Sequence, residues 1–164
     1  MYIRKLVTLA VATVAGGVLA VAAAGTSKGT ASYASKKGPV TVTFTHAALV
    51  TGPGFDKKPI RKIVLSTKDV APALAQCDEM MMCSDGGITE GMTLDLDGGP
   101  RLMYWFVANG QLVQYSGTAD PTALVLTTDT AKHMAGTLTL DATGAGGPKV
   151  AVTFDAPLAK ALSK

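Results

Sequence analysis

The side chains with the strongest chemical character lie between two cysteines. Cys77-Asp78-Glu79-Met80-Met81-Met82-Cys83 places three consecutive thioethers inside a cysteine pair, with Asp85 close behind. Thiolate and thioether are soft donors that suit monovalent copper. His46 and His133-Met134 would complete such a site if the fold brought them to it. The spacing matches no established metal motif, and three consecutive residues of an extended chain point to alternating sides. A Cys77–Cys83 bridge would also remove both thiolates. The plainer expectation is a disulfide loop whose methionines pack as adaptable filler, with no cofactor. Copper is the alternative.

The usual catalytic patterns are missing. A redox couple needs a thiol whose pKa is lowered, as at a helix N-terminus. Cys77 instead follows the C-terminal end of a helical stretch and stands among carboxylates. His46 and His133 are the only histidines, and no G-x-S-x-G or similar context marks a nucleophile. Asp95 and Asp97 share one strand face, whereas glycosidases hold two carboxylates across a cleft. A polar outer face opposite Met92, Leu94 and Leu96 accounts for both. Tyr104, Trp105 and Tyr115 could form a binding surface for a sugar or peptide, with Trp105 the single tryptophan.

The elements that must position these residues are mostly strands. Residues 92–117 read as a three-strand meander. Met92, Leu94 and Leu96 alternate with polar residues, Asp97-Gly98-Gly99-Pro100 breaks the run, and Arg101 to Ala108 is nearly all apolar. Asn109-Gly110 then predicts a type I′ hairpin turn into Gln111 to Ser116. On the middle strand Leu102, Tyr104 and Phe106 share one face and Met103, Trp105 and Val107 the other, so both faces should be covered or one should sit at an interface. Val40, Val42 and Phe44 alternate with threonines, and Ala47 to Val50 would extend that strand past a bend. Ile60 to Thr67, with Arg61, Lys62 and the flanking Lys57, Lys58 and Lys68, would suit a sheet edge that refuses further pairing. Lys68 to Gln76 is the one good helical stretch, with Asp69 as cap and Pro72 in the first turn. Residues 123–128 make another strand, and 136–141 with 149–155 a final hairpin.

Before these strands the chain changes character. Arg4 and Lys5 precede an uncharged apolar run from Leu6 to Ala24 that ends in small residues, which is the layout of a secretory signal peptide over residues 1–24. Residues 25–38 are small, polar and basic and predict a flexible leader. The domain proper spans 39–160, and 161–164 form a tail. Without Arg4 and Lys5, 13 basic residues face 12 acidic ones, a net of +1 from the 15 and 12 of the whole chain. That balance points to no nucleic-acid partner. No apolar segment long enough to span a membrane follows the leader. Residues 25–68 hold eight Lys and Arg but one Asp, and residues 69–100 hold seven Asp and Glu but no base. Pairing across neighbouring strands explains that split more simply than a cation site. In an oxidising compartment Cys77 and Cys83 should bridge, which by loop entropy stabilises by roughly 2–2.5 kcal/mol.

Gly136-Thr137-Leu138-Thr139-Leu140-Asp141, followed by Gly146-Gly147-Pro148-Lys149-Val150-Ala151-Val152-Thr153-Phe154-Asp155-Ala156-Pro157-Leu158, resembles the end of small exported bacterial proteins of uncharacterised function. The likeness extends loosely over residues 38–160. It implies an exported β-rich domain and transfers no site.

Together these features predict an all-β domain. The first choice is a single β-sandwich of about eight short antiparallel strands, with one short helix before a disulfide loop. A small eight-stranded barrel is the alternative. The expected role is non-enzymatic binding or structure in the periplasm or at the cell surface, for a protein or small ligand. Copper handling through the Met loop and a hydrolase with an unrecognised site are the alternatives.

Overall fold

The computed structural model describes residues 24–163, so the expected signal peptide falls outside the described residues except for Ala24. The described residues form nine strands: β1 Gly25–Ser35, β2 Gly38–Pro53, β3 Pro59–Ser66, β4 Glu90–Asp95, β5 Leu102–Ala108, β6 Val113–Ala119, β7 Leu124–Thr130, β8 His133–Asp141 and β9 Lys149–Ala161. Two short helices, α1 Ala71–Ala75 and α2 Met80–Cys83, interrupt them between β3 and β4. The strands belong to one continuous sheet, in the order β6-β5-β4-β3-β2-β1-β9-β8-β7. The fold is therefore all-β and antiparallel, curled into a half-barrel. Curling lets one sheet enclose a core that two stacked sheets would otherwise share.

The period-two pattern decides which residues face inward. Val42, Phe44, Leu49, Ile63, Leu65, Met92, Leu94, Phe106, Leu138, Val150 and Val152 fill the concave side. Tyr33 stacks on Phe106 at a centroid distance of 5.9 Å and joins β1 to β5 through the core. On β2 the inward set changes from even to odd positions between Phe44 and Ala47, so Ala48 and Val50 turn to the convex side. There they meet α1, α2 and Val107 of β5 in a second apolar cluster. The convex face of β5 is thus covered at Val107, while Met103 stays exposed and Trp105 half-buried.

Residues 25–35 correct the expectation of a flexible leader. They form β1, paired to β2 on one side and to β9 on the other. The inward positions Gly25, Ser27, Gly29 and Ala31 are small, and at the two glycines the backbones of β2 and β9 leave no room for a Cβ. A Cβ on Gly29 would stand 2.1 Å from the Ala151 carbonyl oxygen, and the residue has φ +153°, where the β1–β2 register slips. Only glycine fits both constraints. β2 and β9 both run antiparallel to β1, and beyond its start they pair directly and in parallel at Leu49↔Leu158.

Three further expectations change. β3 is an interior strand between β2 and β4, not an edge. Its Arg61 and Lys62 serve ion pairs instead, with Asp97 and Asp95. The basic and acidic segments therefore do pair across neighbouring strands, since Lys62 stands opposite Asp95. The turn after β5 is a short 3₁₀ helix, Asn109–Gln111, with Leu112 in the left-handed region at φ 56°, in place of a type I′ turn. The last strand runs past the expected end at residue 155 to Ala161, and in the expected tail Leu162 donates from its backbone N–H to the Thr51 carbonyl at 2.7 Å.

Candidate functional site

The Met loop lies on the convex side of the sheet. Asp69 Oδ1 accepts from the Ala71 N–H at 2.9 Å and starts α1, and Pro72 lies in its first turn, where no N–H is needed. Lys160 of β9 donates to the Ala75 carbonyl at 2.9 Å and closes the other end. Leu74, Cys77 and Met80 point down into the second apolar cluster with Val64, Val107 and Leu162. Cys77 and Cys83 are bridged, with Cα atoms 5.6 Å apart. The bridge closes the loop over α2, so Met80–Cys83 is one helical turn and not extended chain. Met80 is buried, while Met81 and Met82 are 71% and 78% exposed.

Beside α2, β5 presents Met103, 53% exposed, and the half-buried Trp105. A cleft of about 280 Å³ separates them from the loop. Met81, Met82, Cys83, Met103 and Trp105 line it on the apolar side, and Lys62, Ser84, Asp85, Asp95 and Ser116 supply polar groups. Lys62 Nζ lies 3.4 Å from Asp95 Oδ1. That contact lacks hydrogen-bond geometry, and Asp95 Oδ1 is buried with no hydrogen-bond partner. A ligand bearing an N–H or O–H could satisfy it.

Of the candidate metal ligands, the structure brings together only Met81 and Met82. Met80 packs under the loop, and Met134 is fully buried in the main core. His46 lies on β2 and His133 on β8, and neither lines this cleft. Among the described residues no group of three His, Cys, Asp or Glu could hold a metal ion.

The histidines also lack the partners of a catalytic base. His46 Nδ1 is 2.8 Å from Thr45 Oγ1, but that hydroxyl already donates to the Thr67 carbonyl at 3.1 Å. The Thr45 hydroxyl is thus shared between the imidazole and a backbone carbonyl, and among the described residues no carboxylate is hydrogen-bonded to His46 to orient it as a base. His133 Nε2 pairs with Asp155 Oδ1 at 2.7 Å on the exposed strand face. This orients the ring, yet no hydroxyl or thiol is hydrogen-bonded to the imidazole. Asp95 and Asp97 are taken by Lys62 and Arg61 respectively.

The candidate aromatic surface divides. Trp105 faces outward to the cleft, whereas Tyr104 and Tyr115 face the core side, stacked at 6.1 Å. Tyr104 is buried, and that burial, reinforced by Tyr115, pushes its phenol up to about 12. The two tyrosines border a wider cleft of about 810 Å³, together with Arg101, Thr118, Asp120, Asp141 and the Gly144-Ala145 tip. Ala119, Ala123, Leu140 and Ala142 complete the apolar part of its wall. Met103 was not singled out as a site residue in the sequence; its outward position opposite Leu102 and Tyr104 was the available signal.

No helix among the described residues is long and apolar enough to cross a membrane. Comparison with protein families, curated proteins and solved structures finds no match to this chain.

Proposed function

We propose that this protein works outside the cytoplasm as a binding protein rather than an enzyme, and that its ligand enters the cleft between α2 and β5. Export is supported by the basic start and apolar run over residues 4–24 and by the Cys77–Cys83 bridge, which an oxidising compartment permits. One observation carries the choice of cleft. Of the six large apolar side chains exposed among the described residues, three, Met81, Met82 and Met103, gather around the single tryptophan. Clustered exposed apolar groups with a few polar ones mark binding surfaces. Thioether side chains suit this use because they repack around an occupant. The wider cleft near Tyr115 gathers none of those six side chains. At about 280 Å³ the volume suits a small ligand or a single partner side chain.

The test uses Trp105 emission. Anilinonaphthalene sulfonate, an apolar fluorescent probe, should bind one molecule per chain and quench Trp105 by energy transfer. Met103→Lys, which places a charge on the apolar wall, should abolish this. Failure of the wild-type protein to bind the probe, or unchanged binding by M103K, would remove the cleft as a site for apolar ligands.

A further inference from the structure

Six methionines fall among the described residues, and the fold uses them in two ways. Met80, Met92 and Met134 are buried, and Met81, Met82 and Met103 are exposed; all three exposed ones line the same cleft. Packing explains the first group. It does not explain why two thioethers on α2 and a third on β5 are presented to solvent around an indole. Of the three loop methionines only Met80 helps anchor the loop, and any apolar residue could cover the cleft wall.

We infer that the cleft holds a soft monovalent cation, Cu(I) or Ag(I), through the sulfurs of Met81, Met82 and Met103, with the Trp105 ring against the ion. This inference rests on the reading of the cleft as the ligand site and names the occupant. Thioether sulfur prefers soft ions over the hard cations that carboxylates collect. An indole face attracts a cation through its ring quadrupole. The charge on the cleft wall is suited to a single positive ion: Asp85 and Asp95 against Lys62 leave a formal net of −1. The bridge matters as well. With Cys77 and Cys83 joined, no thiolate competes for the ion. Thioethers also carry no proton to lose, so the site works without the deprotonation that thiol or imidazole ligands need. The donor set differs from the one the sequence offered, because Met80, Met134 and both histidines are excluded and Met103 enters.

The experiment is a titration of the disulfide-intact protein with Ag(I) in chloride-free buffer, read by Trp105 emission and by the mass of the complex. One ion per chain should bind and quench Trp105. Affinity at about pH 5 should match that at about pH 7, where an imidazole site would weaken on acidification. The triple variant Met81→Leu, Met82→Leu, Met103→Leu keeps the apolar volume and removes the sulfurs. It should lose Ag(I) affinity by about 100-fold while still binding anilinonaphthalene sulfonate, which also shows that it folds. Trp105→Phe should keep most of the affinity with a few-fold loss. If the triple leucine variant binds Ag(I) as well as the parent, or the parent binds none, the metal inference is overturned while the cleft reading stands on its own probe. If the parent fails to bind the apolar probe yet takes one Ag(I) lost with the sulfurs, the metal inference stands and the broader apolar reading falls.

Discussion

Arg61 holds Asp97 in a two-pronged grip: its Nε donates to Asp97 Oδ2 at 2.7 Å and its Nη2 to Oδ1 at 3.0 Å. The Arg61 backbone N–H donates to the same carboxylate at 3.1 Å, and its Nη1 reaches Asp129 of β7. One side chain thus ties β3, the residues after β4 and an edge strand from the far end of the sheet. Planar forked geometry makes this more than an ordinary surface pair. Arg61→Lys should lower stability by about 1 kcal/mol in urea unfolding, because a point charge cannot hold both oxygens.

The same pair has a pH signature. The guanidinium holds the Asp97 carboxyl below the ordinary carboxylate range. Its contribution is therefore complete above that range and is lost as the solution is acidified through the lowered value. Asp97→Asn should flatten the acid limb of a Tm-against-pH curve. An acid limb identical to that of the parent would show that other carboxylates govern it.

Tyr104 sets the opposite limb. Its folded pKa near 12 lies above the unfolded value of about 10. The neutral phenol is favoured in the folded state, so stability is full below about pH 10 and falls between there and about pH 12. The loss should be on the order of 1 kcal/mol after solvent screening. Absorbance titration should show a late-ionising tyrosine that vanishes in Tyr104→Phe.

Leu112 holds a left-handed conformation that costs a side-chain-bearing residue roughly 1–2 kcal/mol, and its side chain is largely exposed. Glycine would relieve this and lose up to about 1 kcal/mol through its freer unfolded chain. Leu112→Gly should therefore raise stability by roughly 0.5 kcal/mol in denaturant melts. A drop would mean that the Leu112 side chain contributes packing.

Gly29 behaves in reverse. Adding a methyl group forces the backbone away from Ala151 and Val152. Gly29→Ala should cost more than about 2 kcal/mol, measured by urea unfolding. It is the sharpest check that β1 is a working part of the sheet.

β2, β4, β7, β8 and β9 were legible because apolar residues alternate along them, β3 by Ile63 and Leu65 on one face, β5 as a short continuous apolar run, and β6 by the turn signal before it. Tyr104 and Trp105 could be placed on opposite faces because successive side chains of a strand alternate. β1 was not legible. Gly25, Ser27, Gly29 and Ala31 carry no apolar alternation, since crowding by β2 and β9 selects for small side chains. Leu112 was hidden because Asn-Gly just before it suggests a different turn. In the site, Met81, Met82 and Trp105 each stood out by type. Their meeting did not, for it depends on α1 and α2 folding back over β5. A four-residue helix has no periodic signature of its own, and Met103 became informative only once the loop lay beside it.

The earliest described strand is bordered by the latest one. During synthesis the β1–β2 hairpin can form early, but its second edge stays naked until residues 149–161 emerge. Such an edge recruits other chains readily. A nascent molecule that begins to fold before its last dozen residues arrive therefore carries an open invitation to aggregate, and a stop codon ahead of β9 should yield insoluble material rather than a smaller domain. Completion, not initiation, is the step on which this architecture turns.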